Sequence, residues 1–307
     1  MRVLVLGGTG FIGSHIVDAL VDSDHHVKVV DRTLKYIQTK NPQSVQYTQA
    51  DYSDSFILSE ALLGIDIVIH LVSTTVPGNS NLDPVADIQS NLVNSVKLFQ
   101  AMKHADVKRI IYFSSGGTVY GNPSQIPISE NHPTHPICSY GITKVAIENY
   151  LYMFQELYGF KPTILRPSNP YGPRQGHHGA QGVIGTFMNQ IMTNHDINIW
   201  GDGSVIRDYI YISDLVDACL AVVNSDVQGT FNIGSGCGHS LLDIIGEIER
   251  CTQRKSQVNF DHARCFDVNE MVLDSKLAKN KLAWSPKYTL QQGIRLHYDW
   301  YKSAHKD

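Results

Sequence analysis

The sequence predicts an α/β fold, in which a Rossmann-type doubly wound parallel sheet is followed by a smaller α/β lobe at the C-terminal end. Residues 3–6 are an unbroken apolar run, which is typical of a parallel strand buried on both faces. The segment 8–13 has the pattern G-x-G-x-x-G and leads into a helical pattern. Strand and helix patterns then alternate as far as residue 166, which predicts a parallel sheet with ligands at the carboxyl ends of its strands.

The individual elements follow from their apolar periodicity. The first helix has Ile16, Val17 and Leu20 on one face. Further strands are predicted at 26–30, 65–71, 109–114 and 163–166, and longer helices at 84–104 and 139–158. Seven Pro and Gly residues among positions 167–182 indicate a loop, and shorter elements follow near 183–193, 199–200, 213–224, 229–233, 241–252 and 290–302. We therefore expect a first domain at 1–166 and a second lobe at 167–307, with 205–211 and 229–233 as possible returns to the first sheet.

The composition is that of an ordinary globular protein, with 42% hydrophobic and 18% charged residues in 307. A net charge of −4 without a basic run argues against nucleic-acid binding, and no apolar stretch approaches the roughly 20 residues that span a bilayer. The five cysteines are scattered without a C-x-x-C pair, so we expect reduced thiols, no structural zinc and a cytoplasmic location. Met1 at the start of a core strand leaves no room for a signal peptide, and His177 and His178 lack further ligands at metal-binding spacing.

The glycine-rich turn predicts a dinucleotide-binding site. Glycines let the chain turn sharply and approach a diphosphate, which then lies at the positive N-terminal end of the helix. Asp31 ends the second strand, where an acidic side chain can accept hydrogen bonds from both ribose hydroxyls of NAD. Arg32 could instead receive the 2′-phosphate of NADP, so the sequence favours NAD without excluding NADP.

Tyr140 and Lys144 form a second functional pattern. They are four residues apart in a predicted helix and therefore lie on one face. A phenol with a pKa near about 10 is a poor base at neutral pH, but a nearby ammonium group stabilises the phenolate and lowers that pKa. We therefore expect Tyr140 to act as a general base on a substrate hydroxyl while hydride leaves the same carbon.

Seven motifs spread over the chain carry a resemblance to a known family: GGTGFIG, SSGGTVYG, SYGITK, LRPSNPYGPRQ, IRDYIYISD, FNIGSG and ARCFDV. The chain resembles the extended short-chain dehydrogenases/reductases of the sugar-nucleotide epimerase/dehydratase branch, and within it is most similar to the UDP-glucose 4-epimerases. The resemblance implies NAD-dependent epimerisation at C4 of a UDP-hexose, either UDP-glucose/UDP-galactose or the N-acetyl forms, through a transient 4-keto intermediate. An epimerase of UDP-glucuronate or of a deoxyhexose nucleotide, or a 4-keto-sugar nucleotide reductase, stays open.

The family's third catalytic residue is a serine, and this chain departs from the family there. Epimerases with the motif SSSATVYG have the serine at the position of Gly116. The resemblance therefore implies Thr118 as the replacement hydroxyl, with Ser115 as support. Related dehydratases carry an Asp-Glu pair in this segment, where the present chain has Gly117 and Thr118, so dehydration is not expected.

The resemblance also implies the residues of the two binding sites. Those expected to bind the cofactor are Gly7, Gly10, Phe11, Ile12, Gly13, Asp31, Arg32, Asp51, Tyr52, Leu71, Val72, Ser73, Asn91, Tyr140, Lys144 and Ser168. Those expected to bind the substrate are Thr118, Tyr140, Asn169, Val183, Arg207, Arg264 and Met271. Arg207 and Arg264 would hold the nucleotide diphosphate, because a guanidinium forms paired hydrogen bonds with phosphate oxygens. Met271 stands at the position beside the sugar's 2-substituent, and its flexible side chain leaves acceptance of acetamido sugars open.

The quaternary structure that the resemblance implies is a homodimer formed through a four-helix bundle. The second long helix offers Tyr150, Leu151, Phe154 and Leu157 as an apolar surface for it. The same residues could equally be core residues that face the sheet.

Overall fold

The architecture is a large parallel sheet covered by helices on both faces, with a second lobe built on smaller sheets. The structure is a computed structural model that describes residues 1–37, 41–176, 182–262 and 268–305. Its strands are β1 (Arg2–Leu6), β2 (His26–Asp31), β3 (Val45–Gln49), β4 (Ile67–His70), β5 (Arg109–Phe113), β6 (Lys161–Pro167), β7 (Asn169–Tyr171), β8 (Ile197–Trp200), β9 (Ile206–Tyr211), β10 (Gly229–Ile233), β11 (Gly238–Ser240), β12 (Val258–Asp261) and β13 (Glu270–Met271).

The helices alternate with the strands of the large sheet in the first half of the chain. They are α1 (Phe11–Asp22), α2 (Ser55–Leu62), α3 (Pro84–Asp87), α4 (Asn94–His104), α5 (Ser139–Tyr158), α6 (Val183–Met192), α7 (Ile212–Val223), α8 (Leu241–Thr252), α9 (Lys276–Leu282) and α10 (Leu290–Ala304). A π-helical segment, Ile88–Val93, joins α3 to α4, and a 3₁₀ turn covers Pro42–Ser44. In the described ranges, no helix has both the length and the apolar character that crossing a membrane requires.

The seven-stranded sheet has the order β10-β6-β5-β4-β1-β2-β3, and all of its strand pairs are parallel. Alternate side chains of β1 enter two different cores, with Val3 and Val5 on one face and Leu4 and Leu6 on the other. The first core includes side chains of α1 and α7, and the second includes those of α2, α4 and α5. The doubly wound parallel sheet expected from the sequence is therefore confirmed.

The second lobe is organised around β9. This strand pairs with β7 and β13 in parallel and with β11 in antiparallel orientation, while β8 and β12 form a separate parallel pair. Of the two segments named as possible returns, 229–233 forms β10 and pairs with β6 in the large sheet. The other, 205–211, supplies β9 and lies in the smaller sheet. The division into domains at residue 166 stays a prediction.

Two local features position the site. Helix α5 has the bounds expected from the sequence and ends at Gly159, whose φ of +67° is left-handed. The long helix expected over 84–104 contains the π-helical segment, which changes the direction in which successive side chains point. On α5, Leu151 and Phe154 are buried in the core against the sheet, whereas Tyr150 and Leu157 are 39% and 63% exposed. The apolar residues of α5 are thus divided between core and surface.

Candidate active site

The glycine-rich turn between β1 and α1 leaves no space for side chains. A Cβ on Gly13 would lie 2.1 Å from the carbonyl oxygen of Gly7, and one on Gly8 would lie 2.8 Å from Cγ1 of Val29. Gly7 also has a φ of +83°, which disfavours any other residue. Gly10 is the N-cap of α1 and has no side chain to cap the first-turn N–H groups. These groups are therefore suited to bind an anion such as a diphosphate.

Asp31 is held in a fixed orientation at the end of β2. Its Oδ2 accepts hydrogen bonds from the backbone N–H of Thr9, at 3.0 Å, and from the Thr9 hydroxyl, at 2.9 Å. The carboxylate lies in a cleft at the carboxyl edge of the sheet. The residues that line this cleft are Gly7, Val30, Asp31, Arg32, Ala50, Asp51, Tyr52, Leu71, Val72, Ser73, Thr74, Ser90 and Asn94.

Eight of the residues expected to bind the cofactor thus line one cleft. One of them, Asp51, accepts a 2.9 Å hydrogen bond from the N–H of Ser53, which lowers the pKa of its carboxyl together with the nearby Arg32. Phe11 and Ile12, which begin α1, pack partly buried against the core on that face of the sheet. Ser168 follows β6, and its Oγ is buried without a hydrogen-bond partner among the described residues.

Asn91 does not line the cleft, whereas three polar residues that were not expected to bind the cofactor do line it. The Asn91 amide accepts a 2.8 Å hydrogen bond from the N–H of Thr74 and donates a 2.8 Å hydrogen bond to Asp87. Ser90 and Asn94 face the cleft instead, together with Thr74, whose hydroxyl lies 2.6 Å from that of Ser90. The π-helical segment is the reason, because an α-helical projection of the sequence gives no sign of its altered register.

Tyr140 and Lys144 lie together near the N-terminus of α5. The Lys144 Nζ is 5.4 Å from the centre of the Tyr140 ring and donates a 2.8 Å hydrogen bond to the carbonyl oxygen of Phe113. The Ser115 and Ser73 side chains lie near the Tyr140 phenol and favour its phenolate form. Polar groups from α5, from the end of β5 and from the loop after β4 therefore lie close together.

Burial dominates the electrostatics of this pair. It raises the pKa of Tyr140 to about 12 and lowers the pKa of Lys144 to about 8. The rise for Tyr140 is opposite to the lowering that its spacing from Lys144 predicted. The reason is that removing a phenolate from water costs more than the nearby Ser115 and Ser73 side chains recover. The protein alone consequently holds Tyr140 as a neutral phenol at neutral pH.

The structure explains why the family's serine is replaced by Gly116. A Cβ there would lie 2.5 Å from Cδ1 of Leu273 and 2.8 Å from the carbonyl oxygen of Arg166, and the Gly116 N–H donates to the oxygen of Pro167. Of the two replacement hydroxyls, that of Ser115 lies near the Tyr140 phenol and lowers its pKa. Thr118 Oγ1 is shielded from solvent and has no hydrogen-bond partner in the part of the chain that the structure describes. Both hydroxyls therefore remain candidates for this role.

Apart from Thr118 and Tyr140, the described residues expected to bind the substrate lie on several elements after β6. Asn169 donates a 2.8 Å hydrogen bond from Nδ2 to the carbonyl oxygen of Asp208. Arg207 lies on β9 beside Met271 of β13, and Met271 is buried with Val119, Tyr120, Ile128 and Leu273. Val183 is the first residue of α6 and packs against the core. Arg264, His177 and His178 lie outside the described residues.

The sequence analysis missed a buried charge network behind the site. Glu148 accepts hydrogen bonds from Arg166 Nε at 3.0 Å and Nη2 at 2.5 Å, and from Ser114 Oγ at 2.5 Å. Arg166 also donates to the Tyr120 hydroxyl at 2.9 Å. The network joins α5 to the ends of β5 and β6. A glutamate one turn after Lys144, on the same helix face, was the available signal.

The observed site fits a dinucleotide. The glycine turn, in which a Cβ on Gly8 or Gly13 would clash, allows close approach of a diphosphate, and Asp31 is oriented at the edge of the same cleft. Two buried hydroxyls near the site, those of Thr118 and Ser168, have no partner among the residues described and are suited to bind a ligand. Over the described ranges, no group of three His, Cys, Asp or Glu side chains could hold a metal ion.

Comparison with known proteins identifies a family that the chain matches over most of its length. The family model described as the NAD dependent epimerase/dehydratase family matches residues 3–234. A putative UDP-glucose 4-epimerase of Methanocaldococcus jannaschii is 33% identical over 305 residues, covering 99% of each chain. A dTDP-4-dehydro-6-deoxyglucose reductase of Escherichia coli is 35% identical over 304 residues, covering 95% of each chain.

Among solved structures, the chain is similar to the UDP-glucose 4-epimerase of Thermotoga maritima, whose crystal structure includes UDP-glucose. The TM-score is 0.94 at 33% sequence identity, and the match covers 100% of both chains. The similarity therefore extends over the large sheet and the second lobe together.

Proposed function

The chain belongs to the NAD dependent epimerase/dehydratase family, and from that premise we propose that it catalyses epimerisation at C4 of a UDP-hexose with NAD as its cofactor. The observation that carries the proposal is the meeting of Tyr140, Lys144, Ser115 and Ser73 beside the cleft that contains the glycine turn and Asp31. UDP-glucose 4-epimerase activity of the relatives supports the choice of substrate class.

The residues that bind the cofactor and those that act on the substrate have separate roles in the proposed reaction. The N–H groups at the start of α1 would bind the cofactor diphosphate, and Asp31 would accept hydrogen bonds from a ribose. Bound NAD would supply a hydride acceptor and a positive charge. Tyr140 would accept the proton of the sugar's O4 hydroxyl, Ser115 would orient that oxygen, and Lys144 would stabilise the phenolate. Because burial raises the pKa of Tyr140 to about 12, the base becomes effective only once the assembled site contains additional positive charge.

The substrate side of the proposal rests on the second lobe. Arg207 and Arg264 would hold the diphosphate of the nucleotide sugar, since guanidinium groups suit phosphate oxygens. Asn169 and Val183 would contact the nucleotide and its diphosphate. Met271 is 2% exposed and packs beneath the segment that carries Thr118, so it would limit the sugar pocket from below.

A reductase is the second candidate, because a relative named dTDP-4-dehydro-6-deoxyglucose reductase is 35% identical to this chain. The two activities differ in redox balance. An epimerase returns the hydride to its own substrate, whereas a reductase consumes one reduced cofactor for each product formed. An epimerase of UDP-glucuronate would share the redox balance of the first candidate and differ only in substrate.

The test is incubation of the purified protein with UDP-galactose and, separately, with UDP-N-acetylgalactosamine, without added cofactor. We expect the 4-epimer of at least one substrate, detected by chromatography, since NAD should remain bound through catalysis. Tyr140→Phe should reduce turnover by about 10³-fold or more while the bound NAD content stays unchanged. Tyr152→Phe, on the exposed face of the same helix, is the matched control. An active Tyr140→Phe variant, or turnover that needs net NADPH, would contradict the assignment.

We also propose that the protein is a homodimer paired through α5 and the helices before it. Ile142, Tyr150, Met153 and Leu157 are 56%, 39%, 36% and 63% exposed and follow one another at intervals of eight, three and four residues. Such spacing places them on one face of α5. Val85 and Val93, on the neighbouring helical segments, are exposed as well. An apolar helical face of this kind is suited to bury itself against a second copy of the chain.

Light scattering after size exclusion tests this dimer. The wild type should elute at twice the chain mass of 34.2 kDa. Met153→Glu combined with Leu157→Glu should give the monomer mass, because charges in the apolar face oppose its burial. Phe56→Glu, at a 69% exposed position on α2, should leave the dimer intact. A monomeric wild type, or a dimeric double variant, would refute the proposal.

We place the protein in the cytoplasm. Cys138, Cys219, Cys237 and Cys251 are free thiols, which supports a reducing compartment. The expected substrates, nucleotide sugars, are consistent with the same location.

A further inference from the structure

Asp87 is a buried carboxylate that neither the sequence motifs nor the proposed chemistry uses. It ends α3, the short helix before the π-helical segment, and is fully inaccessible to solvent. Its oxygens accept four side-chain hydrogen bonds, which is about the capacity of an ionised carboxylate. Oδ1 accepts from Thr75 Oγ1 at 2.5 Å and Asn91 Nδ2 at 2.8 Å, and Oδ2 accepts from Ser139 Oγ at 2.6 Å and Thr143 Oγ1 at 3.0 Å.

The donors of these four bonds belong to two separate parts of the site. Ser139 and Thr143 lie on α5, immediately before Tyr140 and immediately before Lys144. Thr75 is in the loop after β4, and its carbonyl oxygen accepts a 3.2 Å hydrogen bond from the hydroxyl of Ser73, whose side chain lies near the Tyr140 phenol. Asn91 reinforces this side, because its Oδ1 accepts from the N–H of Thr74. One carboxylate therefore ties the helix of the proposed base to the loop that lies near its phenol.

Contacts from the preceding loop strengthen the same junction. The N–H of Ser139 donates to Asn81 Oδ1 at 2.8 Å, and the N–H of Tyr140 donates to Ser80 Oγ at 3.1 Å. Residues 80–87 thus supply hydrogen-bond partners to the free N–H groups at the start of α5 as well as to its side chains. Displacement of Asp87 would release both ends of this connection.

We propose that Asp87 is a positioning residue for Tyr140, holding the N-terminal turn of α5 and the Ser73–Thr75 loop in one fixed arrangement. The inference rests on the proposed role of Tyr140 as the base. The Asp87 carboxylate also acts through space, since its negative charge raises the pKa of both Tyr140 and Lys144. The charged and titratable groups that face Lys144 are Asp87, Glu148, His70, Tyr112 and Tyr140.

The first variant is Asp87→Asn, which keeps the size of the side chain and removes its charge. A misplacement of about 1 Å in an active site can cost about 10²-fold in rate, so we expect kcat to fall by about that factor with KM within about threefold of wild type. The Lys144 ammonium should also titrate at lower pH, because a neighbouring negative charge is lost. Asp214→Asn is the matched control, because Asp214 lies on α7, away from Tyr140, and is only 1% exposed. Its carboxylate accepts hydrogen bonds from the N–H groups of Lys287 and Tyr288.

A second variant guards against a loss of folding. Thr143→Val removes one of the four hydrogen bonds and keeps the buried carboxylate partnered by the other three. We expect kcat to fall by about tenfold with KM unchanged, and hydrogen–deuterium exchange over residues 139–144 to become faster while α10 exchanges as in the wild type.

The readouts separate this inference from the proposed function. Lysine NMR titration and hydrogen exchange need neither substrate nor turnover, so they test Asp87 even if the wild type fails to epimerise UDP-sugars. An unchanged Lys144 titration in Asp87→Asn, together with unchanged exchange over 139–144 in Thr143→Val, would overturn the inference. So would wild-type kcat in both variants, or an equal loss of kcat in Asp214→Asn.

Discussion

At the scale of single residues, two adjacent glycines in the loop after β5 have quite different surroundings. Gly116 is enclosed by Leu273 and by the backbone oxygens of Arg166 and Pro167. A Cβ on Gly117 would have Asn169 Oδ1 as its nearest neighbour, at 3.9 Å, which is ordinary contact. The loop is therefore closed on the side of the sheet and open on the side of the proposed sugar pocket. A hydroxyl for the substrate must come from Ser115 or Thr118 instead.

This difference gives a paired prediction for stability. Gly116→Ala should destabilise the protein by about 1 to 3 kcal/mol, because the new methyl group overpacks against backbone atoms that cannot move away cheaply. Gly117→Ala should leave the free energy of unfolding nearly unchanged. Urea denaturation of the two variants and the wild type measures these free energies of unfolding. Equal stability of the two variants would contradict the close packing around Gly116.

Among the elements, helix α5 connects the second core to the site. Its buried face packs Leu151 and Phe154 against the sheet, and its first turns carry Tyr140 and Lys144. The ion pair between Glu148 and Arg166 fixes the helix against β6, with both side chains 8% exposed. A carboxylate buried to this degree depends on its partners, since an unpaired charge in the core is strongly destabilising.

Glu148→Gln should therefore lower the free energy of unfolding by about 3 to 5 kcal/mol, because it leaves the Arg166 guanidinium buried without its anion. The change is measured by chemical denaturation at neutral pH. Asp217→Asn, which removes the partner of Lys287 at the surface, is the control and should change stability far less. A loss of the same size in both variants would mean that burial of the pair is not what matters.

The sequence predicted the elements around the site better than it predicted the contacts within it. The observed bounds of α5 and β10 are those predicted from the apolar pattern of the sequence. The glycine turn after β1 was predicted from its motif. The π-helical segment was not predictable from periodicity, and the hydrogen bonds that Asn91 and Asp87 accept from the loop after β4 are contacts that only the fold brings about. The direction of the Tyr140 pKa was missed for a similar reason: spacing identifies a neighbouring charge but does not reveal how far burial opposes it.

Two histidines of the described residues, His70 and His297, are almost inaccessible to solvent and lie far apart in the chain. His70 ends β4, with its Nε2 2.9 Å from Ser95 Oγ, and His297 lies on α10; each is 1% exposed. Burial lowers the pKa of His70 to about 3 and that of His297 to about 4 from an ordinary 6.5. Both histidines are therefore neutral in the folded protein well below the pH at which they are protonated in the unfolded chain.

Acid should consequently destabilise the fold through these two side chains. Between pH 6.5 and about 4 the unfolded chain binds more protons than the folded one, so stability falls as the pH falls, by up to about 1.4 kcal/mol per pH unit for each histidine. His70→Gln combined with His297→Gln should flatten the pH dependence of urea unfolding over this range. His104→Gln, at an exposed position, should leave it as in the wild type. An unchanged slope in the double variant would contradict the argument.

An isotope experiment shows whether the hydrogen at C4 leaves the sugar and returns to it within the active site. UDP-galactose carrying deuterium at C4 is incubated with the protein without added cofactor, and the UDP-glucose formed is analysed by NMR and mass spectrometry. Transient oxidation with return of the same hydride predicts that the product retains deuterium at C4. Product that has exchanged its C4 deuterium for solvent hydrogen would contradict it, as would absence of conversion of both UDP-galactose and UDP-N-acetylgalactosamine labelled in this way.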